Sequence, residues 1–361
     1  MEASLSPLRT SPRPLRKPVF ATVVMPARNE AAFIRRSLAA VLEQDYPPGL
    51  MEVIVADGMS EDGTRDAVRE MMGRHANLRL VDNPSRIVPT GLNRAIRAAK
   101  GDVIIRVDGH TIVTQDYVAA CVSALCRTGA DNVGGPMRAE GEGGFGRAVA
   151  AATSSPFGVG GARFHYSDDE EWVDTVYMGA WRRETFDRIG LFDEEMVRDQ
   201  DDEFNYRLLN HGGRILLSPR IRSSYTVRGS PRSLWRQYFQ YGYWKVRVMQ
   251  KHRRQVRLRH LVPPAFVAAL AASAVAACLA PRAAILWGTV PASYAAANLL
   301  ASVASSKRAG WSILPSLPLV YAILHLSYGL GLLAGLARFC GRWRGQAACQ
   351  PDPATGGDAS T

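Results

Sequence analysis

The chain has 361 residues, more than one average domain, and a formal net charge of +11, which together favour a soluble domain with a smaller appended region and an anionic partner. Its five cysteines, Cys121, Cys126, Cys278, Cys340 and Cys349, form no CxxC pair and have no histidine-rich stretch beside them, which argues against a disulfide framework or a zinc site. The sequence carries no recognised nucleic-acid motif, so nucleic acid is not expected as the anionic partner, and no GxGxxG follows the first apolar run, so a dinucleotide oxidoreductase fits poorly.

Residues 1–18 hold Pro7, Pro12, Pro14 and Pro18 among basic residues and lack the apolar run of a signal peptide. A disordered basic tail is expected there, with a cytoplasmic domain after it. From Val19 short β-branched runs alternate with helical patterns. The spacing predicts strands over Val19–Pro26, Glu52–Ala56, Leu78–Val81 and Val103–Val107, with helices over Glu30–Gln44, Gly63–His75 and Pro89–Ala99 between them. Such alternation implies a parallel sheet covered by helices, and ligands of such sheets bind beyond the carboxyl ends of the strands. Asn29 and Glu30 follow the first strand, Asp57 the second and Asp108 the fourth.

The stretch Asp131–Tyr177 is rich in glycine and is expected as loops around one helix near Gly146–Thr153. A helix over Asp201–His211, stopped by Gly212 and Gly213, precedes a strand at Arg214–Leu217. Past Arg232 an aromatic and basic segment leads into Val262–Ala280, Ala283–Ser306 and Ile313–Ala337, none of which contains Asp, Glu, Lys or Arg. Each approaches the roughly 20 residues that a bilayer core requires. Lys251, Arg253, Arg254, Arg257 and Arg259 place the flank before the first of them inside. Three full crossings would put Arg338, Arg342 and Arg344 outside, against the positive-inside rule, so two or three spans are expected, one of them re-entrant or interfacial if there are three.

Single residues at the strand ends admit plain readings. Asp57-Gly58 and Asp108-Gly109-His110 resemble ordinary turns, and Glu30 resembles a first-turn acid favoured by the helix dipole. Their coincidence at three strand ends is what points to a ligand site. A carboxylate and an imidazole two residues apart suit a divalent cation, Mg²⁺ or Mn²⁺, and the nitrogen tilts the choice toward Mn²⁺. Downstream, Asp199, Asp201, Asp202 and Glu203 crowd one helix start, where mutual repulsion raises some carboxylate pKa values.

From Val19 to about Lys245 the sequence resembles a family 2 glycosyltransferase, most closely those of succinoglycan biosynthesis in bacterial exopolysaccharide pathways. The resemblance rests on VVMPARNEAAFI, VIVADGMSEDGT, NPSRIVPTGLNRAI, GDVIIRVDGHT, RRETFDRIGLFDEEMVRDQDDEFNYRL and RQYFQYGYWK, which occur in the family's order. It implies an α/β fold of the GT-A type, a nucleotide-diphospho-sugar transferase related to the Rossmann pattern, over residues 19–235. An aromatic and basic interfacial segment over 236–260, transmembrane helices over 261–337 and a tail over 338–361 would follow. Pro26, Arg28 and Glu30 match the first nucleotide-contacting motif, and Asp57 the acid that holds base or ribose. Asp108 and His110 stand where the family usually has Asp-x-Asp, and a histidine in place of the second acid leaves the metal preference open.

The family commonly has Glu-Asp with an Arg six positions on. Counting back from Arg207 gives Asp201 as the base, with Asp202 as rival and Gln200 in place of the usual Glu. Arg86 and Asn93 are further donor candidates. Arg182 and Arg183 are open to the same reading or to a structural one. Gln200, Glu203, Arg207, Trp235, Tyr238 and Tyr241 are assigned to the acceptor region; the aromatic residues suit sugar stacking and interfacial anchoring alike.

The expected activity is inverting transfer of one hexose, glucose from UDP-glucose, to a polyprenyl-diphosphate-linked oligosaccharide at the bacterial inner membrane, with the catalytic domain in the cytoplasm. The missing Gln-x-x-Arg-Trp string speaks against a processive synthase. His110 and Gln200 keep open a nucleotide-sugar-binding protein that has lost catalysis.

Overall fold

A computed structural model of the chain describes residue 15, residues 18–279 and residues 284–343. Most of the expected N-terminal tail, Ala280 and Ala283 at the edges of two expected apolar segments, and the C-terminal tail from Arg344 lie outside the described residues. The first half alternates as the sequence pattern predicts: β1 (Ala21–Ala27), α1 (Ile34–Leu42), β2 (Met51–Asp57), α2 (Thr64–Met72), β3 (Leu78–Asp82), α3 (Val88–Ala98) and β4 (Val103–Arg106). Six of the seven residues of β1 and all seven of β2 are buried, as strands covered on both faces must be. They pair in parallel with each other, β1 with β4 and β2 with β3.

Helix α1 begins at Ile34, four residues later than the spacing predicts. The backbone N–H groups of Asn29, Glu30 and Ala31 are instead held by the side chains of Ser60, Thr64 and Asp62, at 2.9, 2.8 and 3.0 Å. Side-chain acceptors on the loop after β2 thus replace the first helical turn.

The second half departs from a simple parallel series. It contains β5 (Thr111–Val113), α4 (Tyr117–Thr128), β6 (Asn132–Gly134), β7 (Met137–Glu140), α5 (Gly143–Thr153), α6 (Pro156–Val159), β8 (Glu171–Val173), β9 (Ala180–Arg182), α7 (Arg183–Ile189), α8 (Gln200–Asn210), β10 (Ile215–Leu217) and β11 (Ser223–Thr226). The main sheet has the order β3-β2-β1-β4-β9-β6-β10-β8, and β9 runs antiparallel between β4 and β6. Trp181 on β9 is buried against Phe186, Phe192 and Phe204, whose ring centroids lie 5.7 to 5.8 Å away, so β9 anchors the base of α7 and α8. A smaller sheet, β5-β11-β7, lies apart. The expected loops of Asp131–Tyr177 therefore contain three short strands and two further helical turns, α6 and Arg163–His165. Close approach explains a glycine there: a Cβ on Gly135 would stand 1.6 Å from the Ile221 carbonyl oxygen.

The chain then continues through α9 (Pro231–Lys251), α10 (Leu258–Leu279), α11 (Ala284–Ala309) and α12 (Leu317–Arg338). Ser230 caps α9 by accepting from the Ser233 N–H, and Pro231 opens its first turn. The expected division between 235 and 236 falls inside this one helix.

α9 lies along α12 on a seam of glycines. A Cβ on Gly242 would meet the Tyr328 carbonyl oxygen at 2.1 Å, and one on Gly331 would meet the Phe239 carbonyl oxygen at 2.1 Å; small residues are what let two helix backbones approach so closely. α12 also packs on α5, where Leu317, Val320 and Leu324 join Ala148, Val149 and Ala152, and the Tyr321 hydroxyl lies 3.0 Å from Ser155 Oγ. Among the described residues two helices, α10 and α12, each 22 residues, are long and apolar enough to cross a membrane. Gly331→Ala should push α9 off α12 and cost about 1–3 kcal/mol. A lowered thermal midpoint of the detergent-solubilised protein checks this; an unchanged midpoint would contradict the seam.

Candidate active site

Three loops meet at the carboxyl ends of β1, β2 and β4. Asp57 closes β2 beside Ala27 of β1, and the Gly58 N–H donates to the Ala27 carbonyl at 2.8 Å. Asn29 and Met59 both adopt left-handed backbone, φ 55° and 57°, an unfavourable conformation that tight interlocking sustains. The Asn29 side chain accepts from the Glu61 N–H at 3.0 Å, and Arg28 donates to the Arg86 carbonyl at 3.3 Å. Arg86, itself at φ 60°, has a half-exposed side chain 3.9 Å from Glu61. Pro26, Arg28, Glu30, Asp57 and Arg86 are thereby brought into one set of loops.

Asp57 is fully buried. Its Oδ2 accepts from Arg65 Nη1 at 2.7 Å and from the Ser60 N–H at 3.0 Å, while Arg65 Nη2 bridges to Asp82 at 2.7 Å. Asp57 Oδ1 is buried without a hydrogen-bond partner among the described residues. An orphan acceptor of this kind costs about 1–3 kcal/mol unless a donor reaches it, which suits an N–H on a bound base or a ribose hydroxyl.

At the end of β4, Arg106 donates from Nε and Nη2 to the two oxygens of Asp108, at 2.7 and 3.1 Å. Burial alone would depress the Arg106 guanidinium, but the charges of Asp108 and Asp201 outweigh it and leave its pKa raised. Gly109 passes against the end of β1, where a Cβ would touch Ala27, Glu30 and the Pro26 carbonyl at 3.5 Å. His110 Nδ1 lies 3.5 Å from Glu30 Oε1, and its ring meets Tyr225 edge-on at 5.7 Å. Burial pulls the imidazole down, yet Glu30 and Asp108 hold its pKa above the ordinary value despite Arg228. One carboxylate and one imidazole make a sparse donor set. That set fits a cation whose remaining ligands are diphosphate oxygens and water, the habit of Mg²⁺-type sites at phosphates.

The acidic start of α8 faces this turn. Asp199 precedes the helix in left-handed backbone, φ 57°. Lys245 of α9, itself buried, is hydrogen-bonded to Asp202 Oδ2 and stands 3.3 Å from Asp199 Oδ2. Asp202 Oδ1 also accepts from Thr175 at 2.9 Å. Burial raises the Asp202 carboxyl, but Lys245 and Thr175 overcome it and bring it down to about 2. Asp199 goes the other way: burial and the charges of Asp202 and Asp201 push it up to about 7 against the pull of Lys245. Asp201 accepts only the Asp202 N–H, at 3.0 Å. Burial and the Asp202 charge raise it, opposed by Arg106 and Lys245. Among the described residues Asp201 is the one of the three aspartates without a salt bridge, and it holds a proton more readily than Asp202.

Other candidates are engaged elsewhere. Asn93 is buried with its amide bonded to both backbone atoms of Phe192 and to Glu194, at 2.8 to 2.9 Å. Glu203 and Arg207 pair with each other at 2.9 Å, and Arg207 also caps the Ile189 and Leu191 carbonyls while His252 meets Glu203 at 3.0 Å. Gln200 is buried at the first turn of α8. Arg182 donates to the carbonyls of Leu125 and Ala130, and Arg183 to those of Ala99 and Gly101. These are carbonyls at or just past the ends of α4 and α3, which favour cations. On α9, Gln237 donates to the hydroxyls of Tyr225 and Tyr241 at 3.1 and 2.9 Å, Tyr238 meets Tyr241 edge-on at 5.5 Å, and Trp235 is partly exposed. A chain of contacts thus joins His110 through Tyr225 and Gln237 to the aromatic helix.

Sequence reasoning missed Arg65, Arg106, Tyr225 and Lys245. Arg106 was within reach, since strand alternation puts it on the face of Asp108.

Residues 22–190 match the family described as Glycosyl transferase family 2. The succinoglycan biosynthesis protein ExoA of Rhizobium meliloti is 33% identical over 243 residues, covering 67% of this chain and 73% of that protein. The chain belongs to glycosyltransferase family 2. A second relative, from Methanococcus voltae, is 28% identical over 240 residues, 64% of this chain and 74% of that protein. It is named a dolichyl N-acetyl-alpha-D-glucosaminyl phosphate 3-beta-D-2,3-diacetamido-2,3-dideoxy-beta-D-glucuronosyltransferase. The mannosyltransferase PcManGT of Pyrobaculum calidifontis, solved with GDP-Man and Mn²⁺, aligns with a TM-score of 0.57 at 23% identity, over 85% of this chain and 87% of that one. That likeness establishes the GT-A fold. In this family 2 member, Arg65→Met would leave the Asp57 carboxylate buried without its cation and should lower unfolding stability by up to about 3 kcal/mol. Denaturant titration reads it; unchanged stability would contradict the pairing.

Proposed function

We propose that this glycosyltransferase moves one hexose from a nucleotide-diphosphate sugar to a lipid-linked oligosaccharide at the cytoplasmic face of a bacterial inner membrane, inverting the anomeric carbon. The observation that carries the reading is the state of the α8 acids. Asp201 is half-buried with its pKa raised, and it faces the Arg106–Asp108 turn without a salt bridge of its own among the described residues. A base must accept the acceptor hydroxyl's proton as the sugar carbon is attacked, and a raised carboxylate does so better than one clamped by lysine. Asp202, bound to Lys245 and Thr175, is the weaker candidate.

The donor's base or ribose would use the unpartnered Asp57 Oδ1, with Pro26, Arg28, Glu30 and Arg86 around it. Asp108 and His110 would hold a divalent cation, Mn²⁺ in preference to Mg²⁺ because one donor is nitrogen. The cation would neutralise the departing diphosphate. Tyr241, joined to Tyr225 through Gln237, and the exposed Trp235 on the same helix suit stacking against the acceptor sugar.

The name of the Methanococcus voltae relative, for transfer to a dolichyl-phosphate-linked sugar, supports a lipid-linked acceptor. Glucose from UDP-glucose rests on the resemblance to the succinoglycan enzymes. The two apolar helices support the membrane location, and the basic flank Lys251–Arg259 supports the orientation.

Purified full-length protein with Mn²⁺, a panel of nucleotide sugars and a polyprenyl-diphosphate oligosaccharide should transfer a single hexose; no transfer and no donor hydrolysis with any sugar would overturn the proposal. Asp201→Asn should lower kcat by roughly 10²–10⁴-fold with donor KM little changed, whereas Asp57→Ala should raise donor KM. Because Asp201 must be deprotonated and its folded pKa is raised, activity should fall as pH drops through a value above the ordinary aspartate pKa of about 4. An acid limb at or below that value would contradict the assignment.

A further inference from the structure

Lys245 lies in a helix whose composition reads as interfacial, in the run YGYWKVRV, yet it is only 5% exposed. A buried ammonium is unfavourable unless it is paired. Its Nζ reaches two of the three aspartates at the start of α8: Asp202 by a short hydrogen bond and Asp199 at 3.3 Å. α9 is in turn locked to α12 by the glycine seam at Gly242 and Gly331. The cation therefore comes from the C-terminal helices, 43 residues along the chain from Asp202, and not from the sheet domain.

We infer that Lys245 is a positioning residue for transfer: by holding Asp202 as an anion through direct contact, with Asp199 beside it, it leaves Asp201 as the acid without a cation partner, free to take the acceptor's proton. This rests on the proposed role of Asp201.

The groups facing this cluster are few. Arg106 from β4 and Lys245 from α9 act on Asp201, alongside the charge of Asp202. Asp199, Asp202, Tyr206 and Tyr328 face Lys245, and His260 acts on Asp202 from α10. His165 and Arg259 interact with the same aspartate. Lys245 is the cation in contact with both Asp199 and Asp202. Without it the three half-buried carboxylates crowd one helix start, opposed by Arg106 at Asp201 and by Arg259 at Asp202, and Asp201 holds its proton to higher pH. The C-terminal helices thus complete the catalytic site as well as anchoring it.

The test is the pH dependence of kcat for the full-length, detergent-solubilised protein with Mn²⁺, the donor found active in the sugar panel and the lipid-linked acceptor. Lys245→Met should move the acid limb to higher pH by about half a unit or more, short of the roughly 1–3 units that an opposite charge at contact is worth, because Lys245 touches Asp202 and Asp199 and not Asp201, with donor KM unchanged and much of kcat recovered at alkaline pH. Lys245→Arg should keep the limb within about half a unit of its unaltered position. Lys245→Met combined with Asp202→Asn removes one cation and one anion together, and should return the limb toward that position.

A uniform loss of kcat at every pH, an unmoved limb, or a loss confined to donor KM would overturn the assignment. Should Lys245→Met fail to accumulate, the double variant reads the same balance: a limb at its unaltered position supports the assignment, and loss at every pH overturns it. Asp201→Asn separates the two ideas. If it retains transfer, the base role fails; if it abolishes transfer while Lys245→Met leaves the limb in place, only the role of Lys245 fails.

Discussion

Arg106 is a buried guanidinium at the end of β4, and the arrangement of the site depends on it. Taking such a charge out of water costs several kcal/mol unless it is matched. Asp108 matches it through two hydrogen bonds at 2.7 and 3.1 Å, and the charge of Asp201 adds to the match from α8. The turn after β4 is thereby fixed, and with it Gly109 and His110 against Glu30 and the end of β1. The same guanidinium draws the start of α8 toward the strand ends. Its Nη1 remains buried without a hydrogen-bond partner among the described residues, as does Asp57 Oδ1. Unpartnered buried polar atoms are uncommon and call for explanation, and here two belong to one site.

A second set of constraints acts through the backbone. The loops after β1 and β2 hold each other by side-chain oxygens accepting backbone N–H groups, which lets Asn29 and Met59 sit in left-handed conformations. Rigidity of this kind suits a surface that must present several groups to one ligand. On the opposite side, the glycine seam between α9 and α12 sets how deeply Lys245 enters the acidic cluster. The membrane-type helices and the acids of α8 are therefore mechanically one structure, and a displacement of α12 would be felt at Asp202.

Much of this was legible in the sequence. Strand-ending acids at Asp57 and Asp108 follow from the alternation of apolar runs and helical spacing, and the acidic start of α8 is visible as Asp199 to Glu203. What was not legible has a common cause: it depends on contacts between residues far apart in the chain. β9 runs against its neighbours because the segment before it returns across the sheet, and three-residue strands leave too short a pattern to read. Asn93 looks like a polar helix residue available to a ligand, but its amide serves the backbone of Phe192, 99 residues on. Lys245 looks like one more cation near a membrane, and only packing reveals that it is buried. The resemblance to family 2 supplied Asp201, and the geometry supplied a physical reason to prefer it to Asp202, whose charge Lys245 already claims.

The stereochemistry of the product tests this account most directly. The base proposed at Asp201, acting alone, implies one displacement at the anomeric carbon, so an α-linked nucleotide sugar should yield a β-linked product in the NMR spectrum of the reaction. An α-linked product would contradict the account, because retention requires a second nucleophile or a different course of reaction.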